Sequence, residues 1–214
     1  MFVGDEGSDT THAVADTVCI VDDEASIRTG LVRLIGSAGY VVSAYESAAA
    51  FLEDPPSVAP ECLVLDITMP GLSGLELQDA IAGRGWVMPI VFLTGHGDIP
   101  ASVRAMKGGA VDFLTKPVDA ADLLAAIGRA AQRAHTERRD RAEIEAVRAR
   151  FETLTPRERE VMALVVAGLL NKQVAGDLGT AEKTIKVHRA RVMTKMQVPS
   201  LADLVRAAAR LGLP

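Results

Sequence analysis

Five short apolar runs, each followed by a helix-like stretch, constrain the first 130 residues more than any other feature. The runs are TVCIV (17–21), YVVSAY (40–45), CLVLD (62–66), PIVFLT (89–94) and AVDFLTKP (110–117). Between them, apolar residues recur at helical spacing. Ile27, Leu31, Leu34 and Ile35 do so within 24–38, followed by SAAAFLED before Pro55-Pro56, by Leu75 to Ala82 and by Ile99 to Lys107. A long helical pattern opens near Asp119. Strands that alternate with helices predict an α/β fold, a doubly wound five-stranded parallel sheet with helices on both faces. The near-continuous apolarity of the runs agrees, because a parallel strand is buried on both sides.

The second half contains no strand pattern. Residues 119–150 read as one helix, increasingly charged after Gln132, with apolar positions Ile127, Ala130, Ala134, Ile144 and Val147 that hint at a partner helix. Thr155, Pro156 and Glu158 have the spacing of a capping box with proline at the first helical position. Four short helices are expected at about 156–167, 171–178, 181–196 and 200–211, punctuated by Gly168 and Gly179. The domains expected are a disordered leader (1–15), an α/β domain (16–130), a helical linker (131–152) and an all-α domain (153–214).

Charge divides the chain at nearly the same place. Residues 1–130 carry 7 Lys+Arg and 18 Asp+Glu, a net of −11, whereas residues 131–214 carry 16 and 10, a net of +6. An acidic half joined to a basic half suggests cations as partners of the first and nucleic acid as partner of the second. No apolar run approaches the roughly 20 residues that span a bilayer, and the acidic start MFVGDEGSDTTHAVAD lacks the basic region of a secretory signal. Cys19 and Cys62 each sit inside an apolar run, so buried reduced thiols and a cytoplasmic location are expected.

The ends of the runs carry the chemistry. In a doubly wound sheet, ligands bind at the carboxyl ends of the strands. There the sequence puts Asp22 and Asp23, Asp66, Thr94 and Lys116. Clustered carboxylates repel one another unless a cation intervenes. A hard divalent ion such as Mg²⁺ would neutralise them, and Lys116 could pair with them when no ligand is bound. A carboxylate beside such an ion can attack phosphorus and form an aspartyl phosphate, with Lys116 and Thr94 stabilising the phosphoryl oxygens. Each residue alone has an ordinary explanation, as a helix cap, a strand former or a surface amine. The joint pattern is what points to phosphoryl chemistry.

The stretches VDDE (21–24), LVLDITMPGLSGLEL (63–77), LTGHGD (93–98) and GAVDFLTKP (109–117) resemble the receiver domain of two-component response regulators. That resemblance implies a flavodoxin-like sheet of order 2-1-3-4-5. It also implies Asp66 as phosphoacceptor, Mg²⁺ or Mn²⁺ held by Asp22, Asp23, Asp66 and the backbone carbonyl of Thr68, and a Thr94–Lys116 pair that senses phosphate. Phe113 falls at the aromatic switch position, where the family often has Tyr, and His96 reads as a loop residue without a chemical role. In the second half, LTPREREV, GLLNKQVAGDLG and EKTIKVHRARVMTKM resemble the LuxR/NarL-type helix-turn-helix domain, and both halves together resemble its FixJ-like branch. On that resemblance Lys183, Thr184, Lys186, Val187, His188, Arg189 and Arg191 fall where DNA is contacted. Leu170 departs from the small polar residue usual there, and Asn171 is expected to cap in its place.

The implied function is a phosphorylation-controlled transcription regulator. It would accept phosphate from a sensor histidine kinase or a small phosphodonor, then form a homodimer or free its recognition helix to bind promoter DNA, with RNA polymerase a further candidate partner. It would not be an enzyme beyond self-phosphorylation and slow autodephosphorylation. The alternative is a metal-dependent phosphohydrolase with an aspartyl-phosphate intermediate. Against it, Thr68 stands two residues after Asp66, where such an enzyme needs a second acid.

Overall fold

The computed structural model describes residues 15–95 and 99–213, so the expected leader through residue 14 and the reading of His96 lie outside the described residues. Contacts divide the chain into two units, 1–136 and 137–214.

The first unit alternates as expected: β1 (Thr17–Val21), α1 (Ala25–Ser37), β2 (Val41–Tyr45), α2 (Ala48–Glu53), β3 (Cys62–Asp66), α3 (Gly74–Gly83), β4 (Ile90–Thr94), α4 (Ile99–Lys107) and β5 (Asp112–Thr115). The strands pair in parallel in the order β2-β1-β3-β4-β5. Every residue of β3 and β4 is buried. The edge strands differ: β2 and β5 are only partly buried, because each has a neighbour on one side alone.

Alternation along the strands sends side chains to two cores. Cys19, Val21, Leu63, Leu65, Ile90 and Phe92 pack with Phe51, Leu77, Ile81 and Ala105 from α2, α3 and α4. Val18, Ile20, Cys62, Val64, Val91 and Leu93 pack on the opposite face against Leu31 and Ile35 of α1. The same core takes Leu123, Ala126, Ile127 and Ala130 from α5 (Ala120–Glu152). Cys19 and Cys62 thus belong to different cores, and both are free thiols. Burial pushes the Cys19 thiol up to about 11, with Glu61 adding to the shift, and raises Cys62 as well.

The second unit holds the rest of α5 with α6 (Pro156–Val166), α7 (Asn171–Asp177), α8 (Glu182–Met196) and α9 (Leu201–Arg210). Val161, Met162, Val174, Ile185, Val192 and Leu204 form its core, which Val147 of α5 joins. The apolar stripe on α5 is therefore used within the chain: Ile127 and Ala130 serve one core and Val147 the other, while Ile144 stays 37% exposed.

Thr155 caps α6 as expected. Its side chain accepts from the Glu158 amide at 3.3 Å, and a Glu158 carboxylate oxygen accepts from the Thr155 amide at 2.9 Å. The structure adds a third partner. Lys195 Nζ of α8 donates to the same Glu158 oxygen at 2.6 Å and to the Thr153 carbonyl at 3.0 Å. Lys195 therefore turns inward to a glutamate that is 2% exposed. The Lys195 ammonium, then the cap itself, holds the Glu158 carboxyl below its ordinary value near 4.5. A depressed carboxyl contributes stability above its unfolded pKa and loses it as pH falls through the folded one. Lys195→Met should cost about 2 kcal/mol, less than a fully buried pair because Lys195 is a third exposed. Urea denaturation at pH 7 and pH 3 checks this: the difference between wild type and variant should shrink at pH 3.

Candidate phosphoryl-transfer site and DNA-binding face

The carboxyl ends of β1, β3, β4 and β5 bring the expected residues together. Asp22 follows β1, Asp66 closes β3, Thr94 closes β4 and Lys116 follows β5. Asp22, Asp66 and Thr94 are 1%, 4% and 3% exposed, whereas Asp23 is exposed. Register explains the placement of the last pair: Thr94 lies opposite Thr115, and the Lys116 amide donates to the Thr94 carbonyl at 2.6 Å.

Lys116 ties the acids together. Its Nζ donates to Asp22 Oδ2 at 2.8 Å and Asp66 Oδ2 at 2.7 Å, with Glu24 Oε1 at 3.9 Å. Burial pulls the ammonium pKa down, but hydrogen bonds to Asp22 and Asp66 outweigh it, and the net shift is upward. The other oxygens are also held. Asp22 Oδ1 accepts from the Glu24 amide at 2.9 Å, and Asp66 Oδ1 from the Thr68 amide at 3.2 Å. Arg28 Nη1 donates to the Asp22 carbonyl at 2.7 Å. Both buried acids are thus fixed in direction by backbone amides and by one shared ammonium.

Carboxylate oxygens of Asp22, Asp23 and Asp66 come within 4.8 Å of one another. An all-oxygen set of this density suits a hard divalent ion. Phe113 is partly buried against the core on the α3 side of the sheet and lies opposite Phe92 in register.

Two residues here escape a reading by residue type. Gly74 opens α3, and its amide donates to the Ile67 carbonyl at 3.0 Å. A Cβ there would lie 2.1 Å from the Asp66 carbonyl oxygen. Ser73 and Glu76, a capping box at the α3 start, were the available signal. The buried Gln78 donates to the Ala105 carbonyl at 3.1 Å and so joins α3 to α4.

In the second unit, α8 presents Lys183, Thr184, Lys186, Val187 and Arg191 to solvent, with His188 and Arg189 half-buried. Lys186 pairs with Glu182 one turn back at 3.1 Å. Arg189 Nη1 donates to Asn171 Oδ1 at 3.2 Å. This corrects the expected role of Asn171. It is the first residue of α7 and receives Arg189, while Leu170, 70% exposed, occupies the cap without a side-chain bond. The Leu170 amide is satisfied instead by Gln173 Oε1 at 2.8 Å.

The comparisons agree with this geometry. Residues 18–128 match the family model described as the response regulator receiver domain, and residues 152–208 that of the bacterial regulatory proteins of the luxR family. Nodulation protein W of Bradyrhizobium diazoefficiens is 46% identical over 208 residues, 97% of this chain and 92% of that protein. Transcriptional regulatory protein FixJ of the same organism is 43% identical over 92% of this chain and 96% of its own length. Among solved structures, the response regulator StyR aligns with a TM-score of 0.82 at 46% identity, covering 92% of this chain and all of that one. None of these findings supports the phosphohydrolase alternative.

Proposed function

Because the chain belongs to the response regulators that join a receiver domain to a LuxR-family domain, and is thus a phosphorylation-controlled transcription regulator, we propose that Asp66 is the residue that takes the phosphoryl group. The observation that carries this is the Asp66 carboxylate at the end of β3, with Lys116 Nζ 2.7 Å away and the acids Asp22 and Asp23 beside it.

In this reading an Asp66 oxygen attacks the phosphorus of a phosphohistidine on a sensor kinase, or of a small acyl phosphate. The bond to the donor breaks and an acyl phosphate forms on the protein. Asp22, Asp23, Asp66 and the Thr68 carbonyl would hold Mg²⁺ or Mn²⁺, which when bound offsets charge on the acids and the transferring group. Lys116 exchanges its bond to Asp66 for one to a phosphoryl oxygen, and the Thr94 hydroxyl donates to another. Phe113 then follows Thr94 inward. Lacking a hydroxyl, it is held there by packing alone.

We assign residues 16–130 to the receiver, 131–152 to the linker and 153–214 to the DNA-binding domain. Lys183, Thr184, Lys186, Val187, His188, Arg189 and Arg191 would face promoter DNA: the cations toward phosphates, and the N-terminal part of α8 toward base edges. Dimerisation would place two such helices on two half-sites. Release of a covered recognition helix is the other route to the same output. No helix of the described residues is long and apolar enough to cross a membrane, and a cytoplasmic setting, with RNA polymerase a further partner, fits the function.

Wild-type protein incubated with beryllofluoride and Mg²⁺ is expected to pass from monomer to dimer by light scattering. It should then bind duplex DNA roughly 10²-fold more tightly. EDTA should abolish both changes. A mass and an affinity that both ignore beryllofluoride would sink the proposed switch, and a change in affinity alone would favour release of the helix.

A further inference from the structure

His188 stands on α8 between two buried residues of its own helix, Ile185 one turn before and Val192 one turn after. The ring is half-buried. Its Nδ1 is sealed from solvent and has no hydrogen-bond partner among the described residues. Nε2 is not sealed in this way, and among the described residues the side chain makes no hydrogen bond or ion pair through it. We infer that His188 meets DNA as a neutral imidazole fixed in the Nε2–H tautomer, offering one hydrogen-bond donor and no positive charge to a single acceptor atom of the duplex. The inference rests on the DNA-binding reading of α8.

A neutral imidazole carries one N–H, and which nitrogen holds it is set by what each nitrogen meets. A proton on Nδ1 would be a buried donor without an acceptor, which forfeits its hydration in full. The imidazolium form needs that same proton and adds charge beside the core. An unprotonated Nδ1 is likewise unpaired, but it is the form a histidine side chain intrinsically favours, with the proton on Nε2, and it puts no charge beside the core. His188 therefore differs in kind from Lys183, Lys186 and Arg191, which are exposed on the same helix and act as cations. An N–H donor can meet a phosphate oxygen, a purine N7, guanine O6 or thymine O4. It is refused by the amino groups of adenine and cytosine.

The test uses the full-length protein bound to beryllofluoride and Mg²⁺, with a duplex selected by the wild type from a random-sequence pool. Long-range proton–nitrogen spectra of the histidine rings at neutral pH, assigned by loss of signals in His188→Gln, should show a bare Nδ1 and a protonated Nε2 in the free and the bound protein. His188→Gln, whose amide reaches the Nε2 position, should keep affinity within about threefold, and His188→Asn should lose about tenfold or more. Both variants should keep the wild-type slope of affinity against salt, because a neutral donor displaces no counterion. A base contact shows as lost preference at one base pair, and a phosphate contact as a uniform loss over all sequences; either supports the proposal. An Nδ1–H or doubly protonated ring would overturn it, as would a salt slope that falls by about 0.9 in His188→Asn. If the wild type selects no duplex, the DNA-binding reading fails and the donor role with it, whatever the spectra show.

Discussion

Asp66→Asn is expected to lower phosphoryl incorporation from acetyl phosphate by more than about 10²-fold while leaving the fold intact. The amide is close to the carboxylate in shape but has no anionic oxygen to attack phosphorus. Its neighbours limit the structural cost. The amide oxygen can still accept from the Thr68 amide or from Lys116, and Lys116 keeps its 2.8 Å bond to Asp22. Removing one of three clustered carboxylates also relieves repulsion, so the variant should be as stable as wild type or slightly more so. Intact-mass spectrometry after incubation with acetyl phosphate and Mg²⁺ reads the phosphoryl adduct directly, and urea denaturation reads the stability. A variant that still gains one phosphoryl group at the wild-type rate would move the acceptor away from Asp66.

Gly74→Ala carries the largest expected effect on stability, about 3 kcal/mol or more. The added Cβ would stand 2.1 Å from the Asp66 carbonyl oxygen, 3.0 Å from its carbonyl carbon and 3.1 Å from Ile67 Cα. All three are backbone atoms at or just past the end of a fully buried strand, so no side-chain rotation relieves the clash. The start of α3 must lift away, or Asp66 must move. A displaced Asp66 would also slow phosphoryl transfer, since the reaction depends on close alignment. Gly108 provides a contrast: the atoms nearest a Cβ there belong to the Gln78 side-chain amide, the first at 2.6 Å. The control is Gly83→Ala, in the last turn of the same helix with nothing within 4 Å. It should be neutral or stabilising by roughly 0.5–1 kcal/mol. Equal denaturation midpoints for Gly74→Ala and Gly83→Ala would show that α3 does not need this close approach.

Much of the first unit was legible because two strong signals coincide there. Apolar runs of strand length alternate with helical periodicity, and four of the five runs end on or beside a residue that an apolar core would not keep without a partner. That pairing points to Asp22, Asp66, Thr94 and Lys116, and the structure brings them to one edge. The edge strands were less legible. Apolarity alone suggests burial on both faces for every strand, yet β2 and β5 are half open; the order 2-1-3-4-5, which the receiver resemblance implies and the structure shows, puts them at the edges. Asn171 does not cap, because helix α7 begins one residue earlier than a capping asparagine requires.

The order of strands and helices, the acids at the strand ends and the basic character of α8 follow from the sequence by itself, since each depends on local periodicity and on what the backbone can bury. Which side chains turn inward was decided by tertiary structure alone. Lys195 and His188 lie at the border between the two faces of α8, where a helical period of 3.6 does not choose. Glu158 draws Lys195 in, and Nδ1 of His188 is sealed from solvent. Gly74 belongs with them: its role exists only because the end of β3 passes within contact of the start of α3. A position at the edge of a face takes its meaning from the neighbour that packs there, and that neighbour is distant in the chain.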